Sequence, residues 1–215
     1  MLLKHPDRVE GPAQGTRRRE NFKGAITKYF RFAVVIGGIA ATLAFAGAFS
    51  SAATPAAVGQ LVVSFLYMPP SEIEPTYHTA MWLEDKNGHL VKTLFVSNEL
   101  SHNDYKLGVA CPDWVKQSGW AKAEKTLVDA VSGPTPNVGS SSLAFDLNKL
   151  GVAPGAYQFC FQVHITEKEN VLFRGTFEAG QAAQQVKMDT FFSAGKPTKE
   201  ELIKDVQVQY VPAAK

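Results

Sequence analysis

A mainly β domain, built from antiparallel strands in two packed sheets with one short helical insert, is what this 215-residue chain predicts. Three observations carry that expectation. Short runs rich in β-branched and aromatic residues recur between Gly, Pro, Asn and Asp turns. The runs show no βαβ rhythm and no internal repeat. One uncharged stretch near the N-terminus is preceded by a basic leader and stands apart from the strand pattern.

The composition is that of a globular protein, 45% hydrophobic and 20% charged, with a formal net charge of +2. The charge is unevenly placed. Residues 1–31 carry Lys4, Arg8, Arg17, Arg18, Arg19, Lys23, Lys28 and Arg31 against Asp7, Glu10 and Glu20. From Phe32 to Ser71 no residue is charged. A basic flank followed by an apolar stretch reads as an export segment, with the flank held in the cytoplasm and the downstream chain sent across the inner membrane. The positive charge thus belongs to targeting, and nucleic acid is not expected as a partner. Residues 32–53 are either a cleaved signal core or an uncleaved anchor in the inner membrane. Ser51-Ala52-Ala53 fits a small-x-small peptidase site, with cleavage before Thr54, and Ala44-Phe45-Ala46 and Ala46-Gly47-Ala48 compete with it. The stretch is also about 20 residues long, enough to span a bilayer core. Residues 54–215 are then the exported domain, in the periplasm.

Within that domain, Gln60 to Tyr67 reads as a first strand. Tyr77 to Glu84 is a second, with Tyr77, Thr79, Met81 and Leu83 on one face and His78, Ala80, Trp82 and Glu84 on the other. Asn87-Gly88 signals a hairpin, because both residues tolerate positive φ, and Leu90 to Val96 returns. Residues 97–125 break the pattern and read as an insert with one or two short helices, Asp113 capping the segment that begins near Trp114. Strands resume at Ser142 to Leu147. Ala156 to Ile165 is the plainest of all: Tyr157, Phe159, Phe161 and Val163 face one way, Gln158, Cys160, Gln162 and His164 the other. Val171 to Phe177 returns, Gln185 to Phe192 adds a strand, Pro197 to Leu202 a helical turn, and Val206 to Val211 closes the domain. This count and these turns suit an immunoglobulin-like sandwich, with a small barrel as the alternative.

The ordered set Ala80-Met81-Trp82-Leu83-Glu84-Asp85, Asn87-Gly88, Val91-Lys92-Thr93-Leu94, Val128 to Thr135 and Pro154-Gly155-Ala156-Tyr157 resembles the predicted periplasmic family called domain of unknown function 2271. Pro134 and Phe145 depart from that family's usual Ala and Trp. The Pro-Gly-x-Tyr element is also similar to one in flagellar hook-cap sandwich domains. The resemblance implies an exported β domain without an assigned activity. The family's genomic setting, beside membrane proteins with PepSY domains and flavin transferases, implies a link to extracytoplasmic redox chemistry or metal acquisition.

The chemistry-bearing residues are few. Cys111 and Cys160 are the only cysteines. In an oxidising compartment they are expected to bridge, pinning the insert to the sheet. The loop so closed, about 50 residues, is worth on the order of 3–4 kcal/mol. Two unpaired buried thiols are the alternative. His78 and His164 are candidate metal ligands, although no HxH or HxxxH spacing supports them. Trp82, Trp114 and Trp120 either line a ligand groove or pack the insert on its sheet. Ser132 lacks a nucleophile elbow, and Asp129 is expected to satisfy backbone donors of the following turn. No phosphate loop, dinucleotide fingerprint or other cofactor motif is present. The expectation is therefore a non-catalytic binding or accessory domain that docks a membrane or redox partner in the periplasm. The alternative is a metal- or haem-handling protein tied to iron acquisition or extracytoplasmic electron transfer.

Overall fold

The computed structural model describes residues 57–68, 78–166, 169–193 and 202–214. The basic leader, the hydrophobic segment 32–53 and the helical turn expected at Pro197 to Leu202 lie wholly or largely outside these. Among the described residues no helix is long and apolar enough to cross a membrane.

Most strands form where the alternation placed them, but Ser132–Gly133 adds a strand that was not expected, and the single strand expected at Gln185 to Phe192 divides into two that join different sheets. The strands are β1 (Gln60–Tyr67), β2 (Thr79–Glu84), β3 (Leu90–Ser97), β4 (Ser132–Gly133), β5 (Gly139–Asp146), β6 (Gly155–Thr166), β7 (Glu169–Ala179), β8 (Gln184–Val186), β9 (Asp189–Phe192) and β10 (Ile203–Val211). They make two sheets, one ordered β5-β1-β10-β8 and the other β4-β3-β2-β6-β7-β9. All pairs are antiparallel except β3 with the two-residue β4. The insert follows β3 and supplies α1 (Asn98–His102), α2 (Pro112–Ser118) and α3 (Lys125–Val131), with 3-10 turns at Asp104–Leu107 and Trp120–Lys122. It extends to Val131, beyond the expected boundary near Lys125.

The period-two pattern of β2 and β6 sorts into two separate cores. Met81, Leu83, Phe159, Phe161 and Val163 meet Leu61, Val63, Phe65 and Tyr210 of the other sheet. Phe65 and Phe161 meet at a tilt with centroids 5.1 Å apart, and Phe177 lies 5.6 Å from Tyr210. The opposite face, Ala80, Trp82 and Cys160, joins Leu100, Ala110, Cys111, Trp114, Trp120 and Val131 of the insert in a second core. Every residue of β2 is consequently buried. A strand covered on both faces needs no polar side, so Trp82 sits where the alternation alone would put a solvent-facing residue.

At the β2–β3 turn only Gly88 has positive φ, +79°, and Asn87 does not. The turn is organised by Asp85, whose carboxylate Oδ1 accepts the backbone N–H of Asn87 (2.8 Å) and of His89 (2.9 Å). These bonds, that from His89 foremost, hold the Asp85 carboxyl below its ordinary value. Asp129 likewise does not bind the turn after it; its Oδ2 receives Lys125 Nζ at 2.5 Å along the exposed side of α3.

Gly59 is demanded by close approach. Gly59 has φ +99°, and a Cβ there would lie 2.2 Å from the carbonyl oxygen of Val211. Gly59 O also accepts the N–H of Leu147 at 2.9 Å, which ties the start of β1 to the end of β5. Gly59→Ala is expected to destabilise the domain by about 1–3 kcal/mol through overpacking and backbone strain. The urea midpoint checks this; an unchanged midpoint contradicts it.

Candidate functional site

The outer face of the six-stranded sheet, together with the insert, gathers most of the residues singled out by sequence. Three buried polar side chains of the sheet hold the insert in place. Gln162 on β6 accepts at Oε1 the N–H groups of Asp113 (3.1 Å) and Trp114 (3.4 Å), and its Nε2 donates to Asp113 Oδ2 at 2.6 Å. The first N–H groups of α2 are thus capped by a strand residue, and the expected cap by Asp113 is replaced by Gln162. Asn170 on β7 accepts the N–H of Cys111 at 3.1 Å and donates to Val109 O at 2.9 Å. Glu84 at the end of β2 accepts from Trp82 Nε1 (2.8 Å), Gln117 Nε2 (2.9 Å) and Arg174 Nη2 (3.5 Å). A carboxylate so deeply buried is tolerable because these donors replace water.

The three tryptophans are packing anchors. Trp82 and Trp114 are fully buried and Trp120 nearly so. Trp114 and Trp120 rings lie 4.8 Å apart at 56°. Each indole N–H is satisfied internally, Trp114 by Thr93 Oγ1 at 3.1 Å and Trp120 by Ser101 O at 2.8 Å. With Trp82 and Trp114 fully buried and Trp120 4% exposed, these side chains offer a ligand almost no surface.

The bridge expected between Cys111 and Cys160 is corrected too. Both cysteines are free and buried. The Cys111 thiol points to the carbonyl oxygens of His78 (3.6 Å) and Gln162 (3.5 Å). Gln162 lies two residues along β6 from Cys160, about 6.7 Å of strand rise against a sulfur–sulfur bond of about 2 Å. Cys160 sits beside Glu84 and Arg174 instead. Burial pushes both thiols far above their ordinary range, and the Glu84 carboxylate adds to this at Cys160. Neither is a reactive thiolate. Cys111 also has φ +47° at the N-cap position just before Pro112, where α2 starts.

His78 and His164, 86 residues apart, are brought into contact. Their Nδ1 atoms are 3.1 Å apart and the rings stack at 5.3 Å. His78 Nε2 meets Asp104 Oδ2 of the insert at 2.7 Å. Sequence alone does not single out Asp104. Its only signal is an acidic residue in an irregular loop, and that signal is shared by several others.

What faces solvent on this side is different in kind. Leu107 is 60% exposed, Val109 41% and Phe191 52%. Between the start of α2 and β9 runs a cleft of about 240 Å³ lined by Asp113, Gln162, Asn170, Arg174, Phe191 and Ser193. β9 is a sheet edge, so its outward backbone groups carry no strand partner within the described residues.

Comparison with known proteins agrees with the ordered motifs. The family model described as Predicted periplasmic protein (DUF2271) matches residues 68–192, more than half of the chain. A search of the curated proteins and one of the solved structures found no match.

Proposed function

We propose a non-catalytic docking role for this chain, which belongs to the predicted periplasmic protein family DUF2271 and is placed in the periplasm by that membership. The partner is a protein of the periplasm or inner membrane, such as a redox protein. The supporting observation is the division of labour in the insert. Its tryptophans are spent inside, while Leu107 and Val109 of the insert stand exposed, as does Phe191 on the open edge β9. Apolar side chains next to an unpaired strand edge suit a partner that adds main-chain hydrogen bonds and seats side chains in the adjoining cleft. We also infer an immunoglobulin-like arrangement of the two sheets. In favour of it, Tyr157, near the start of β6, donates from its hydroxyl to Ala153 O at 3.0 Å, as a tyrosine corner does.

Deleting the insert would strip the second core, so it cannot test docking. A photo-crosslinker at position 107 or 191 of the full chain, expressed in the periplasm, is the suitable probe. It is expected to give one discrete protein adduct that a crosslinker at exposed Gln207 on β10 does not. Leu107→Asp with Phe191→Asp should abolish adducts from a crosslinker at position 109 without moving the melting temperature. Equal adducts from positions 107, 191 and 207 would overturn the reading.

A further inference from the structure

We propose that His78 and His164 form a two-nitrogen site for a borderline divalent transition metal, Cu2+ ahead of Zn2+, with Asp104 as the carboxylate that orients His78. Three features of the pair converge on it. The first is the bite. Two imidazole nitrogens on one tetrahedral ion, each about 2.0–2.1 Å from it, stand about 3.3 Å apart. The Nδ1 atoms of His78 and His164 are 3.1 Å apart. The second is the tautomer. Asp104 Oδ2 can only accept, so the 2.7 Å contact places the proton of a neutral His78 on Nε2 and leaves a lone pair on Nδ1. A ring whose far nitrogen donates to a carboxylate while its near nitrogen keeps a lone pair is the outer-shell pattern of metal-bound histidine. The third is rigidity. His164 N–H donates to His78 O at 3.0 Å, both rings are buried, and the insert closes over them. Little is left to order when an ion arrives.

Neutral imidazole selects Cu2+, Zn2+ or Ni2+ over Mg2+ or Ca2+, and among first-row ions Cu2+ binds tightest. Among the described residues no group of three or more His, Cys, Asp or Glu side chains is placed to hold an ion. The two rings are therefore the protein's share, and water or a small anion completes the shell. Without metal, His164 donates its Nδ1–H to the Nδ1 lone pair of His78. On metal binding His164 holds its proton on Nε2, so both Nδ1 lone pairs face the ion and no net proton is released. Acidification should weaken binding, because a protonated ring has no lone pair to give.

Purified full chain, stripped with chelator, would be titrated with Cu2+ and followed by electron paramagnetic resonance, and with Zn2+ followed by calorimetry. One ion per chain with hyperfine coupling to two imidazole nitrogens is expected. His78→Ala or His164→Ala should abolish it, Asp104→Asn should weaken it about 10–100-fold, and His89→Ala should leave it unchanged. Binding that survives His164→Ala in a folded protein, binding lost with His89→Ala, or no stoichiometric uptake would overturn the site. Should the histidine variants fail to fold, nitrogen NMR of the native protein decides. Zn2+ must shift the Nδ1 resonances of His78 and His164, and unmoved resonances refute the proposal.

Discussion

Replacing Trp114 by alanine is expected to cost about 3–5 kcal/mol of folding stability, the largest loss of any single change in the insert. The side chain is fully buried between α2 and the outer face of the six-stranded sheet, in contact with Trp120. Its removal leaves a cavity that neighbours cannot fill, because Trp82, Cys160 and Leu100 are fixed by a strand or by a helix on either side. It also leaves Thr93 Oγ1 without the indole donor. Equilibrium urea unfolding gives the magnitude. Native-state hydrogen exchange gives the location: amides of α2 should lose protection more than amides of β1 and β10, whose contacts lie in the other core. Uniform loss across both would mean that the two cores unfold as one unit, and a loss below about 1 kcal/mol would mean that the tryptophan is not an anchor.

Glu84→Ala should be nearly as damaging, for a different reason. The carboxylate accepts from the fully buried Trp82 Nε1 and from Gln117 of α2, and it faces the guanidinium of Arg174. Taking away a shared acceptor costs about 1–3 kcal/mol for each buried donor left unmet. Glu84→Gln keeps an oxygen in place and should recover most of that loss. Thermal melting of the two variants separates the contributions. A large drop for alanine with a small one for glutamine identifies hydrogen-bond acceptance as the main role of the side chain. Equal drops identify its charge, opposite Arg174, as what matters most. The partly exposed guanidinium keeps the ionic share modest.

The alternation of apolar and polar residues in β2 and β6 is readable directly. Side chains on a strand alternate with period two, so Met81 and Leu83 must share one face and Ala80 and Trp82 the opposite one. The insert is readable as an interruption, and its tryptophans as candidates for packing. Its cap is not. Gln162 looks like a surface glutamine on the polar side of a strand, and nothing within its own segment says that Asp113 and Trp114 end up beneath it. The cysteine pair misleads because compartment and parity speak only to redox chemistry, whereas a bridge depends on where the two sulfurs point.

What the chain's linear order determined by itself was most of the strands, the site of the helical insert and the membership in a periplasmic family, because periodicity, turn residues and ordered motifs are local properties. Tertiary structure alone decided that the second face of β2 is covered, that Gln162 and Asn170 clamp the insert, and that His78 meets both His164 and Asp104. These are contacts between residues tens of positions apart, and their existence depends on strand register and on how the insert folds back. Neither is a property of any short segment, and so neither can be read before the sheets are assembled.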